Sequence, residues 1–253
     1  MVTPWLIGFG LNAGLMAIAA LAPKKLLTPA GLLHAGALGI ILWGTLGWRG
    51  YGVMMFYFLV GSAVTRIGIA QKEALGIAEK RSGARGPENV WGSALIGAFC
   101  ALGVYWANWN GSSDAQSWVP LLQLAYVASI GTKLADTCGT EIGKAYGQRT
   151  FLITTLQAVP RGTEGAVSLE GTLAGIVGSI AIATLAWLVG LISPVGIGIC
   201  AIAAFIATNI ESLIGATIEG KVGWLTHDVV NILNTLIGAI VAILIALALP
   251  SGL

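Results

Sequence analysis

The sequence predicts an all-α, polytopic integral membrane protein with about eight transmembrane helices. Three observations predict it. Hydrophobic residues make up 56% of the 253-residue chain and charged residues only 9%. Apolar runs near the length of about 20 residues that a bilayer demands recur from end to end. These runs are continuous rather than alternating, which disfavours a β-barrel. Residues 1–253 read as a single transmembrane helical domain.

The first run, Trp5 to Ala22, has no basic segment before it; Lys24 and Lys25 follow instead. It reads as a retained helix rather than a cleaved signal. The second runs from Pro29 to Gly47 and the third from Tyr51 to Ala70. His34 in the second reads as a packed, hydrogen-bonded histidine.

A charged loop follows. Its first half predicts a short interfacial helix with Ile69, Leu75 and Ile77 toward lipid and Lys72, Glu79 and Lys80 toward water. Lys80 and Arg81 suit attraction to anionic lipid. Arg85 and Asn89 flank the Gly86-Pro87 turn, where free amides and the helix dipole favour an anion. The fourth run spans Val90 to Asn108. Beyond it, Asn110-Gly111-Ser112 matches the letters of a glycosylation sequon with no secretory context, and Trp106, Trp109 and Trp118 fit an interfacial aromatic belt.

The fifth run, Trp118 to Asp136, descends into polar sequence. Lys133, Asp136, Thr137, Thr140, Glu141 and Lys144 recur at steps of three and four, which on a helix make one stripe. Polar groups at the membrane edge are costly, so this stripe points to function. The glycine-rich turn PRGTEGAVS comes next, with Arg161, Gly162, Thr163 and Gly165. Ser168 is then the expected N-cap of the sixth run, Thr172 to Gly190, with Glu170 in its first turn. Gly171 and Gly175 are spaced for close helix packing.

The seventh run, Pro194 to Leu213, ends with Thr208, Asn209, Glu211, Ser212 and Gly215. The eighth, Val229 to Leu249, opens beside Asp228 with Asn231, Asn234 and Thr235 on one side. A shared polar pocket between these two helix ends is expected. Cys100, Cys138 and Cys200 have no metal-ligand spacing and imply neither disulfides nor zinc.

With eight spans, every Lys and Arg except Arg49 lies on the side of the first, third, fifth and seventh loops, as does every acid except Asp114. The positive-inside rule places that side in the cytoplasm or its equivalent, with both termini opposite. Membrane lipids are expected partners and nucleic acid is not. Oligomeric state is open, since the glycine-rich faces suit packing within or between copies.

No Walker lysine motif, kinase catalytic loop, serine elbow or metal-binding histidine pair is present. Carboxylates for Mg²⁺, cations, glycine turns and helix N-termini remain, all on one side. These suit phosphoryl or nucleotidyl transfer from a nucleoside triphosphate. Asp136, Glu141, Glu211 and Asp228 are the metal candidates. Lys133, Lys144, Arg85 and Arg161 are candidates for neutralising phosphate charge, and Asn89, Asn209, Asn231 and Asn234 for hydrogen-bonding nucleotide or metal-bound water. The glycine turn, Ser168 and Ser212 complete the expected phosphate-binding surface. The residues do not separate a kinase from a cytidylyltransferase. A transporter would place polar groups on both sides, often with inverted repeats; here they gather on one side and no repeat is evident.

In the same order, ADTCGTEIG, PRGTEGAVS, ESLIGATIEG and HDVVNILN resemble the signature segments of an integral-membrane family that includes the phytyl-phosphate kinases of tocopherol synthesis. The family forms are close to ADTxxSEIG, PGTNGGVS, DSLLGAT and NDxVNxxN, and RGPENVWG resembles its Arg-x-x-x-Asn-Val segment. The resemblance covers roughly residues 61–238. It implies a CTP-using kinase that converts phytyl phosphate, or a related prenyl phosphate, to the diphosphate in a membrane of a photosynthetic organism. Distantly, the chain is similar to polyprenol kinases and CDP-diacylglycerol synthases. Thr140 replaces Ser, Glu211 replaces Asp and His227 replaces Asn. Arg161 and Glu164 alter the glycine turn.

Overall fold

The computed structural model describes residues 3–23, 25–79, 83–218 and 222–249. Lys24, Lys80 and Arg81, read above as topology and lipid determinants, lie outside the described residues. Helices α1 (Thr3–Leu21) and α2 (Pro29–Thr65) are followed by the short α3 (Ile69–Ala74) and by α4 (Pro87–Asn110) and α5 (Ser113–Ser117). The long α6 (Val119–Tyr146) leads into strands β1 (Thr150–Leu152) and β2 (Ala166–Ser168), then α7 (Leu169–Leu188), α8 (Pro194–Thr217) and α9 (His227–Ala248). Among the described residues, six helices, α1, α2, α4, α7, α8 and α9, are long and apolar enough to cross a membrane. The chain is an α-helical integral membrane protein.

The runs from Pro29 and from Tyr51 form one assigned helix, α2, broken at Gly47 with φ 65° and ψ −160°. A straight helix would hold Gly31 and Gly61 about 45 Å apart at about 1.5 Å per residue. Yet one residue, Arg85, touches both. A Cβ on Gly31 would meet the Arg85 carbonyl oxygen at 2.3 Å, and one on Gly61 would meet the Arg85 guanidinium at 2.8 Å. The chain therefore reverses at Gly47, a conformation that glycine alone adopts cheaply. The two limbs of α2, with α1, α4, α6, α7, α8 and α9, make up the eight runs read from the sequence.

Helix α6 is the axis of the bundle. From Leu124 to Ala135 every residue is buried, so this stretch has no lipid-facing side. A helix buried on every side belongs in a core, and α2, α4, α7, α8 and α9 surround it. Close approach is bought with small residues: a Cβ on Gly171 would stand 2.6 Å from the Gly139 carbonyl oxygen, and one on Gly175 would stand 3.0 Å from that of Ala135. Without those side chains, α7 lies directly on the α6 backbone. Trp106, Trp109 and Trp118 are exposed at the opposite boundary, as an aromatic belt requires.

α6 runs ten residues beyond the expected end at Asp136, carrying the whole polar stripe on one continuous helix. The glycine turn is likewise more ordered than an open loop. β1 and β2 pair antiparallel, Thr150 opposite Ser168, in a small hairpin that the helical reading did not contain. Its short strands rest on Thr150, Phe151 and Val167, whose side chains favour extended backbone.

Candidate functional site

At the charged end of the bundle, the inner ends of the second limb of α2, α4, α6, α7, α8 and α9 enclose a cavity of about 680 Å³. Three helices open onto it by their N-termini: α4 at Glu88 and Asn89, α7 at Gly171 and Thr172, and α9 at His227 and Asp228. Each N-terminus carries roughly half a positive charge, so together they favour an anion here. Arg85, Lys133, Lys144 and Arg161 line the same space.

The deep wall belongs to α6. Lys133 Nζ donates to Asp136 Oδ2 at 2.6 Å and also to Asn231 Oδ1 of α9. Thr137 ties its hydroxyl to the Lys133 carbonyl at 2.9 Å, and the Thr140 hydroxyl faces Asp136 Oδ1 at 3.4 Å. Glu211 of α8 lines the same cavity as Asp136. Asn234 of α9 donates to Glu211 Oε2 at 2.5 Å. The shared pocket expected at the ends of α8 and α9 therefore exists, and it is continuous with the α6 stripe.

On the facing side, Arg85 Nη1 donates to the Tyr57 hydroxyl at 2.6 Å with its guanidinium over the Tyr57 ring, and Tyr57 donates to Ser93 Oγ at 2.8 Å. The Arg85 backbone bonds both to Leu26 and to Thr28, which fixes the residue at the root of α2. Arg161 donates to the Ala145 carbonyl at 3.2 Å. Gly162 and Gly165 both hold positive φ, and a Cβ on Gly165 would stand 2.4 Å from that of Ala216. The turn is thus fastened against the end of α8, and glycine is required there on both counts. Thr163 closes the turn on the Pro160 carbonyl at 2.8 Å.

Nearly all the residues singled out in the sequence line this one cavity, Asn209, Ser212 and Asp228 included; Asn234 stands wholly buried just behind Glu211. Several are committed to the protein itself. Asn89 caps α4 by accepting from Gly86 N at 3.0 Å, and Ser168 caps α7 by accepting from Gly171 N at 3.1 Å, as expected. Asn209 donates back to the Phe205 carbonyl at 2.7 Å.

Two expectations need correction. Lys72 does not face water: it is fully buried, donating to the Thr65 carbonyl at 2.7 Å and paired with Glu141. Glu141 is 2% exposed, and its Oε2 is taken by that lysine. All four candidate metal carboxylates line the cavity, and no group of three or more His, Cys, Asp or Glu side chains suited to a metal occurs among the described residues. His34 accepts from Trp91 Nε1 at 2.9 Å, but it is exposed rather than packed.

Lys72 lies on the side opposite to the one expected, and Tyr57 and Ser93 were not singled out. The signal for Lys72 lay in Gly68 and Gly76, which hold positive φ on either side of α3 and fix how that short helix docks. Tyr57 and Ser93 sit singly in apolar runs, and one polar residue makes no pattern.

The family model for "Integral membrane protein DUF92" matches residues 12–239. The chain is 62% identical to the uncharacterized membrane protein sll0875 of Synechocystis sp. over 95% of this chain and 90% of that one. It is 47% identical to Protein VTE6, chloroplastic, of Arabidopsis thaliana over 85% of this chain and 65% of the relative. It is 31% identical to the uncharacterized membrane protein MJ0933 of Methanocaldococcus jannaschii over 88% of this chain and 87% of that one. No solved structure matches. The matched region holds every segment that lines the cavity, and the chain belongs to the integral membrane protein family DUF92.

Proposed function

We propose that the chain is a membrane prenyl-phosphate kinase that transfers the γ-phosphate of CTP to phytyl phosphate, or a related prenyl phosphate, in tocopherol and prenylquinone synthesis. The observation that carries the proposal is the single cavity in which Lys133, Arg85 and Arg161 meet three helix N-termini beside Asp136 and Glu211. The similarity to Protein VTE6 supports the same reading.

A phosphomonoester has a second pKa of about 6, so a lipid monophosphate arrives as an oxyanion and needs no strong general base. The barrier to overcome is repulsion between two anions. Lys133, held between Asp136 and Asn231, keeps its ammonium at the cavity wall, where it neutralises phosphate charge. Arg85 is aimed by Tyr57, and Arg161 is braced on the end of α6. Both offer planar donors suited to phosphate oxygens.

Mg²⁺ needs only one or two carboxylates and fills its shell with water and substrate phosphates. Asp136 and Glu211 fit that need, because two carboxylates lining one cavity favour a cation there. Asn234 orients Glu211 and keeps a buried Oδ1 that has no hydrogen-bond partner. When bound, the ion would screen the nucleotide phosphates and draw charge from the leaving diphosphate. The charged face, in this reading, looks toward the compartment that holds nucleotides.

The test incubates purified protein in detergent with Mg²⁺, phytyl phosphate and CTP labelled at its γ-phosphate. Label in a lipid diphosphate is the expected result. Lipid-dependent release of labelled pyrophosphate instead would replace the kinase by a cytidylyltransferase. Neither product with any nucleotide or prenyl phosphate would overturn both enzyme readings.

A further inference from the structure

We propose that the cleft between α7 and α8 takes the isoprenoid chain of the lipid monophosphate, which enters sideways from the bilayer. The inference rests on the kinase reading for its substrate and on separate observations for its place.

The cavity is not confined to the charged floor. Its wall continues along α7 through Thr172, Ile176 and Ser179 and along α8 through Ser212, Thr208 and Phe205. At about 1.5 Å per residue, Thr172 to Ser179 climbs roughly 10 Å into the membrane-spanning region. Each helix uses a different face for packing. α7 lays Gly171, Gly175 and Gly178 on α6, and α8 buries Ala203, Ala204 and Ala207 completely in the core. The faces lining the cleft are therefore the flanks that these two helices turn toward each other and toward lipid. Phe205 is 45% exposed while lining the cavity, so the cleft communicates with the bilayer side.

The lining changes character with depth. Near the charged floor it offers Thr172, Ser212 and Thr208; higher, it offers Ile176 and Phe205, and the Ser179 hydroxyl is already satisfied by the Ile176 carbonyl at 2.9 Å. A wholly polar ligand would leave Ile176 and Phe205 without a partner. A neutral lipid would leave the cationic floor without one. An amphiphile with an anionic head and an apolar tail matches both ends at once. Ile176 and Phe205 thereby become the residues that set chain preference.

The test uses the full chain in liposomes with geranylgeranyl monophosphate carrying a diazirine at its tail end. After irradiation, label is mapped by peptide mass spectrometry. The expected label falls on 172–180 and 202–209, and it is competed by phytyl phosphate. Thr208→Trp, which fills the cleft, is expected to cut labelling at least tenfold and raise KM for the C20 substrate at least tenfold. Should Thr208→Trp fail to fold, Phe205→Ala at a lipid-exposed position replaces it, with a two- to fivefold loss of labelling expected. Label on α1 or the first limb of α2, or labelling that both variants leave unchanged, would overturn the cleft. Labelling does not require turnover. Label in the cleft without phosphate transfer would refute the kinase and leave the cleft standing, whereas transfer with label elsewhere would refute the cleft alone.

Discussion

Two lysine–carboxylate pairs converge on α6, and they differ in what surrounds them. Lys133 and Asp136 sit three residues apart on the helix, partly open to the cavity, and reach across to α8 and α9. Lys72 and Glu141 join α3 to α6 across a long sequence separation, and both are shut away from solvent. The first pair lines the cavity; the second fastens the loop after α2 to the axial helix. Periodicity alone could not separate them, since Asp136 and Glu141 lie on the same polar stripe. Burial and partner identity do.

The largest predicted effect breaks the first pair. Asp136→Asn removes the charge that holds Lys133 and faces Glu211, so phosphate transfer should fall at least about 100-fold, as when one charge-stabilising group is removed from an active site. Detergent thermal melting of the variant should stay near wild type. A variant with substantial residual transfer would show that the pair is structural after all.

The second pair should respond in the opposite sense. Glu141→Gln leaves Lys72 buried without its counter-ion, which costs about 3–5 kcal/mol. Tm should drop by roughly 10 °C, at about 2–4 °C per kcal/mol for a chain of this size. The double replacement Lys72→Met with Glu141→Met should recover most of that loss, because apolar residues of similar volume can replace a buried pair at little cost. Equal melting temperatures for the single and double variants would contradict a clamp.

Smaller effects sharpen the contrast at the rim. Arg161→Ala should raise KM for the nucleotide about tenfold, the size of one charge-assisted hydrogen bond, with little change in Tm. Lys144 meets Glu79 at 3.7 Å with Glu79 well exposed. A pair so open to solvent contributes under about 1 kcal/mol, and Lys144→Ala should shift Tm by no more than a few degrees. Activity of that variant measures whether Lys144 serves the ligand at all.

Much of this architecture was legible in the sequence because bilayer physics is strict. Apolar run length announced the spans, Ser168 announced a cap, and Gly171 and Gly175 announced a helix seam. The stripe from Lys133 to Lys144 announced one wall of the charged cavity. What escaped depended on tertiary distance. The charge pattern around Lys72 does not reveal that α3 turns it inward, because a lone lysine on a surface helix ordinarily faces water. Asn89, Asn231 and Asn234 read as ligand contacts, and each also holds another protein group in place. Side chains that position their neighbours carry no sequence pattern distinct from side chains that bind.

The most direct test compares γ-phosphate transfer by Asp136→Asn and Glu141→Gln at equal folded fraction, with Tm measured on the same samples. The division of labour on α6 predicts that Asp136→Asn melts like wild type and transfers nothing measurable, while Glu141→Gln melts early and, where folded, transfers phosphate within a few-fold of wild type. A Glu141→Gln protein that melts like wild type and is inactive would contradict it, and would place Glu141 in the chemistry instead of the clamp.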